Sequence, residues 1–290
     1  MVSADGAGMT ELTMPRPPED TPRSAYRMLE RRVTVTTAAV LLGLAGLAWW
    51  RTVGQSGSMA AMVQGFAHVG VAMPFDMTGP VFMAMWTTMM IAMMFPAVAP
   101  IVLMHRLVTR RRGEGLAPTF AFGASYLVVW SLVGLVPLAV LIGFRQVTHD
   151  SAWLDRAGGL VLLLAGLYQF SRWKTVCLRA CRTPLSFLLT HDFGGGLAGA
   201  FRVGLSHGLY CLGCCWALMA VLFTVGLMNL AWMAGIALVF LAEKNWRHGV
   251  GLTRLIGVAT MLFAIAVLIH PSLLATVAPF KVSPPMPMNG

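Results

Sequence analysis

Seven long apolar runs constrain this chain more than any other feature of its sequence. They are Val33–Trp50, Val81–Met104, Leu116–Phe144, Ala152–Trp173, Leu205–Gly226, Met228–Ala242 and Leu252–His270. A helix needs about 20 predominantly apolar residues to cross a hydrocarbon core. The sixth run is short, and the fourth carries Asp155 and Arg156 near its start. The runs are continuously apolar instead of alternating, and a backbone in lipid must satisfy its own hydrogen bonds, so helices are expected and a β-barrel is not. The expected fold is therefore an all-α, polytopic membrane helix bundle of about seven transmembrane helices. With 57% hydrophobic and 11% charged residues and a mean hydropathy of +0.73, a single soluble domain is excluded.

The basic charge is a topology signal. Net charge is +10, but the Lys and Arg residues fall in alternate connections. The N-terminal tail and the second, fourth and sixth connections hold 17 of them, and the intervening segments hold 4. Positive residues are retained on the cytoplasmic side, so the N-terminus is expected in the cytoplasm and the C-terminus outside, and nucleic acid is not an expected partner. More than thirty polar and Pro-containing residues precede the first run, so no cleavable signal peptide is expected. Residues 1–32 read as a disordered cytoplasmic tail, 33–271 as the transmembrane helical domain and 272–290 as a short disordered outer tail. No internal repeat supports an inverted-repeat transporter.

The chain has five cysteines, an odd number, which excludes a disulfide-stapled scaffold. Three of them, Cys211, Cys214 and Cys215, lie in the fifth run together with His207. At a hundred degrees per residue these four side chains fall within an arc of about 100°, so they share one helix face. His207 and Cys215 are separated by about 12 Å of helix rise, too far for both to bind one ion. Cys177 and Cys181 lie four apart just after the fourth run. In the expected topology both groups converge on the inner half of the membrane, where reduced thiols or metal thiolates are expected and Lys174, Arg179 and Arg182 favour thiolate. Thiolate and imidazole ligands suit Cu(I), with Zn(II) second. The competing reading is that buried cysteines simply pack.

Nine methionines lie between residues 73 and 104. Met85, Met89 and Met93 follow at i, i+4 spacing with Met90 and Met94 beside them, a thioether stripe along the second run. Stacked thioethers are exchangeable ligands for Cu(I), and Met is equally an unbranched filler of helix interfaces. Pro96 and Pro100 are expected to kink that helix. Glu243 either pairs with or snorkels beside Lys244 at the cytoplasmic end of the sixth run, or completes a site. His105 and His270 sit near opposite membrane faces and no Cys-x-x-Cys-His sequence is present, so haem is not expected. No phosphate loop, nucleophile elbow or His-Glu-x-x-His motif occurs, and the chain is expected not to be an enzyme.

The stretches WTTMMIAMMFPAVAP (Trp86–Pro100), KTVCLRACRTP (Lys174–Pro184) and HGLYCLGCCWALM with the downstream GLMNLAWM and AEK resemble a family of bacterial integral membrane proteins described as predicted metal-binding, whose members are sometimes labelled copper chaperones. The resemblance covers roughly residues 80 to 270. It implies soft-metal handling in the bacterial inner membrane, with Cys177, Cys181, His207, Cys211, Cys214, Cys215 and Glu243 as the matching positions. The combined expectation is a multi-pass inner-membrane protein in the lipid bilayer that binds Cu(I), or zinc, through these residues and the Met89, Met90, Met93 and Met94 stripe. Its expected partner is a copper-donor or copper-acceptor protein. The rival expectations are a membrane thiol-disulfide oxidoreductase and an assembly protein with inert cysteines.

Overall fold

The computed structural model describes residues 23–59, 79–144, 152–191, 195–226 and 229–273. These residues form helices, with no strand among them. In chain order they are α1 (Arg23–Met59), α2 (Gly79–Arg111), α3 (Ala117–Val133), α4 (Leu135–Phe144), α5 (Ala152–Tyr168), α6 (Arg172–Arg182), α7 (Pro184–Thr190), α8 (Gly196–Val225), α9 (Leu230–Asn245) and α10 (Gly249–Ile269). Five stretches are long and apolar enough to cross a membrane: Glu30–Gly54, Gly79–Arg111, Ala117–Val140, Gly196–Val225 and Gly249–Ile269. The fourth and sixth expected spans are the shorter helices α5 and α9, of 17 and 16 residues.

Several expected boundaries move, each for a local reason. Helix α1 begins at Arg23, ten residues ahead of the apolar run. The third run breaks at Gly134 between α3 and α4, because Pro137 has no amide hydrogen and its ring excludes the carbonyl four residues back. The fourth run ends at Tyr168, and a new helix starts at Arg172 behind Ser171, whose side chain accepts the Lys174 amide at 3.0 Å. Asn229 caps α9 in the same way, accepting from the Ala231 and Trp232 amides. Helix α2 runs through both Pro96 and Pro100.

Large apolar side chains such as Leu132, Leu164, Leu262 and Phe120 are exposed, while the interior combines aromatic and aliphatic residues (Phe82, Trp130, Leu162, Leu222) with the Met and Cys side chains and a few buried polar groups. Helix α8 is the central element, packed on α3, α5, α6 and α9, while α2 packs on α1, α3 and α9 and α5 packs on α10. The α3–α8 crossing is close because α8 presents Gly204 and Gly208, one turn apart. A Cβ at Gly204 would collide with the Phe122 backbone and the Ser125 hydroxyl, and one at Gly208 would lie 2.9 Å from Val129. Buried indoles tie further helices together: Trp49 donates to the Ala92 carbonyl at 3.0 Å and Trp86 to the Trp130 carbonyl at 2.8 Å.

Candidate metal centre

The face of α8 that carries the sulfur atoms is wholly interior. His207, Cys211, Cys214 and Cys215 are each at most 1% exposed, as the shared arc requires. The sulfur atoms of Cys211, Cys214 and Cys215 all lie within 4.8 Å of one another. Two sulfurs on opposite sides of a soft ion stand about 4.6 Å apart if each metal–sulfur bond is about 2.3 Å long. The cluster therefore has the dimensions of a thiolate metal site without rearrangement of the helices.

Three neighbouring helices complete the centre. From α6, Cys181 Sγ reaches 3.8 Å from Cys214 Sγ, so the fourth thiol joins from a different element. From α3, the Tyr126 hydroxyl lies 3.1 Å from Cys211 Sγ. From α9, the Lys244 ammonium donates to the same sulfur at 3.0 Å. Within α8 the Cys214 thiol donates to the Cys211 carbonyl at 3.2 Å, and its sulfur is 3.4 Å from that of Cys215. All five cysteines are free thiols.

The support around the centre is ionic. Lys174 on α6 and Glu243 on α9 form an ion pair at 2.8 Å, with side chains 0% and 1% exposed. The Arg182 guanidinium donates to the Glu243 and Arg247 carbonyls, a second strap between α6 and the end of α9. Tyr168 on α5 donates to the Gly213 carbonyl at 2.7 Å, fixing the turn of α8 between Cys211 and Cys214. Cys177 packs on that turn too, since a Cβ at Gly213 would lie 2.5 Å from its sulfur. Cys177 stands outside the membrane-spanning helices, and burial pushes its thiol above the ordinary range.

The other expected residues take different places. His207 does not join the sulfur cluster. Its ring lies among Phe122, Tyr126 and Phe187, with centroids 6.1, 6.1 and 5.1 Å away, and neither ring nitrogen has a hydrogen-bond partner. His105 stacks on the other side of Phe122 at 4.8 Å. Met89, Met90, Met93 and Met94 are buried to 2% exposure or less, on a helix whose main neighbours are α1, α3 and α9. Met73 and Met77 lie outside the described residues. Glu243 pairs with Lys174, not with Lys244, and Lys244 does not snorkel: it is 5% exposed with its head group on sulfur.

Sequence reasoning missed Lys244 and Tyr126 as parts of the centre. Lys244 carried a usable signal, a cation ending an apolar run, but its partner is 33 residues away. Tyr126 carried none beyond being a polar-tipped aromatic in an apolar run.

A buried thiol cluster of this kind is characteristic of soft-metal handling, and comparison with known families decides the lineage. The sequence model of the PpoB2 family, described as copper chaperone, matches residues 83–267. The chain belongs to the PpoB2 copper-chaperone family. The PpoB2 match runs from α2 into α10 and contains all five cysteines with Tyr126, Lys174, Glu243 and Lys244. No curated protein and no solved structure matches the chain.

Proposed function

We propose that this protein is a multi-pass bacterial inner-membrane copper chaperone that takes Cu(I) as cargo at the cluster of Cys211, Cys214 and Cys215, with Cys181 beside it, and hands it to a client protein. The observation that carries this reading is the convergence of four thiols from two helices, three of them fully buried, in a chain of the copper-chaperone family. Thiolates select a soft monovalent ion over hard divalent ones, and adjacent free thiols supply the alternative ligands that ligand-by-ligand transfer requires. Zn(II) is the second cargo compatible with the donor set. In this reading the protein binds and transfers and is not an enzyme.

The proposed topology has seven spans, with α5 and α9 as the short ones, the N-terminus in the cytoplasm and the C-terminus outside. The division of basic residues between alternate connections supports it. It puts α6 and the start of α8 on the cytoplasmic side, so the buried cluster lies toward the inner face. His207 is the next candidate ligand along α8, because both of its buried ring nitrogens lack partners. The methionine stripe has no such observation in its favour.

The test is the metal content of anaerobically purified protein, measured by elemental mass spectrometry beside the Cys211→Ser/Cys214→Ser variant. Near-stoichiometric copper in the wild type that is lost in the variant is the expected result. Zinc in its place would make the site structural, and no metal after Cu(I) loading under reducing conditions would overturn the reading. A thiol-disulfide exchange function is the second reading, favoured by the 3.8 Å approach of Cys181 to Cys214 across helices. Thiols that become alkylatable only after reduction of the native protein would favour it.

A further inference from the structure

Among the described residues, the buried Lys, Arg, Asp and Glu side chains are Arg106, Lys174, Glu243 and Lys244. Three of them are accounted for. Arg106 donates through Nη1 to the Glu114 and Gly115 carbonyls at an end of α2, and Lys174 and Glu243 neutralise each other. Lys244 remains, with its ammonium 3.0 Å from Cys211 Sγ and 6.0 Å from the centre of the Phe240 ring. A cation in a low-dielectric interior is costly unless a counter-charge sits beside it. Among the described residues, the atom in hydrogen-bond contact with this ammonium that can carry that charge is the Cys211 sulfur, which is also 3.1 Å from the Tyr126 hydroxyl.

We propose that Lys244 is the built-in counter-ion of the thiol cluster, and that its single positive charge fixes the form in which Cu(I) is held: between two thiolates, one of them Cys211. This rests on the copper reading above. The charge arithmetic is short. Cu(I) carries one positive charge, two thiolates carry two negative charges, and the ammonium supplies the second positive charge, so the buried complex is neutral. A third thiolate would leave a net negative charge in the interior, and a single thiolate a net positive one, each opposed by the desolvation cost of an unbalanced charge. The cluster holds more thiols than such a complex uses. Those not bound to copper stand 3.4 to 3.8 Å from a neighbouring sulfur, ready to replace a ligand during transfer. Lys244 is on this account a positioning residue that never needs to touch the metal.

The experiment uses the full chain in detergent or nanodiscs, kept anaerobic and loaded with Cu(I) alone. X-ray absorption counts the sulfur atoms at copper, and competition with a chromophoric Cu(I) chelator gives affinities for the wild type, Lys244→Arg and Lys244→Met. Two sulfurs are expected in the wild type, with affinity retained within a few-fold in Lys244→Arg and reduced by at least about 100-fold in Lys244→Met. Three sulfurs at copper would overturn the proposal. So would a Lys244→Met protein that binds as tightly as the wild type, or an Arg variant that loses as much as the Met variant, which would assign Lys244 to packing. If Lys244→Met does not fold, the wild-type sulfur count decides. A wild-type protein that takes up no Cu(I) overturns the copper reading itself, whereas a loaded wild type with an unaffected Met variant overturns only the counter-ion role.

Discussion

Helices α2 and α8 both bury a stripe of sulfur, and tertiary packing gives the two stripes different company. On α2 the Met89, Met90, Met93 and Met94 thioethers are as deeply buried as the α8 thiols, and among the described residues they lie in the apolar core with no hydrogen bond to their sulfur atoms. On α8 the thiols meet a lysine, a tyrosine and a fourth cysteine, each from a separate helix. Soft atoms in a row therefore do not by themselves assemble a cluster like that on α8. What separates the two is the polar company that tertiary packing delivers, because a buried polar group without a partner is costly and is kept where it has one.

The largest expected effect that would break this comparison lies in the sulfur atoms themselves. Cys211→Ser with Cys214→Ser should abolish copper retention through purification, whereas Met89→Leu with Met93→Leu should leave copper content unchanged. Copper lost from the methionine variant would make α2 part of the centre. Next comes the ionic frame. Lys174→Met strands Glu243 in the interior and should lower stability by about 3 kcal/mol or more, with partial recovery in Lys174→Met/Glu243→Leu, where neither charge remains. Thermal unfolding of the detergent-solubilised protein checks this, and an unchanged melting temperature for Lys174→Met would show that the pair is not holding α6 to α9. Gly213→Ala should cost about 1–3 kcal/mol, because its methyl group meets Cys177 Sγ, so that side chain must turn away or α6 must shift from α8. A rise in alkylation of Cys181 in that variant would report the separation. Tyr126→Phe removes the hydroxyl that lies 3.1 Å from Cys211 Sγ and should weaken Cu(I) binding roughly fivefold, about 1 kcal/mol. Smallest of all, the paired Met→Leu changes on α2 conserve volume and should shift stability by less than about 1.5 kcal/mol.

Much of this was legible along the chain. Helix class followed from run length, since a lipid-embedded backbone leaves few other ways to pair its hydrogen-bonding groups. The single face holding His207, Cys211, Cys214 and Cys215 followed from helical period, and the structure buries all four. Boundaries were less legible where a capping side chain or a proline interrupts an apolar run, as at Ser171 and Pro137. Burial alone gave no means of separating His207 from the thiols, although its ring is surrounded by aromatic side chains and lies outside the sulfur cluster.

The sequence by itself determined the helix class and the inward face of α8, because hydropathy and helix period are local properties that each segment carries within itself. Only the tertiary structure decided that Cys181 meets Cys214, that Glu243 turns to Lys174, and that Lys244 ends on the Cys211 sulfur. Those pairings join residues 33 to 69 positions apart. They depend on how closely α3, α6, α8 and α9 can approach one another, which is set by side-chain volume at the crossings and by the need of each buried charge for a partner.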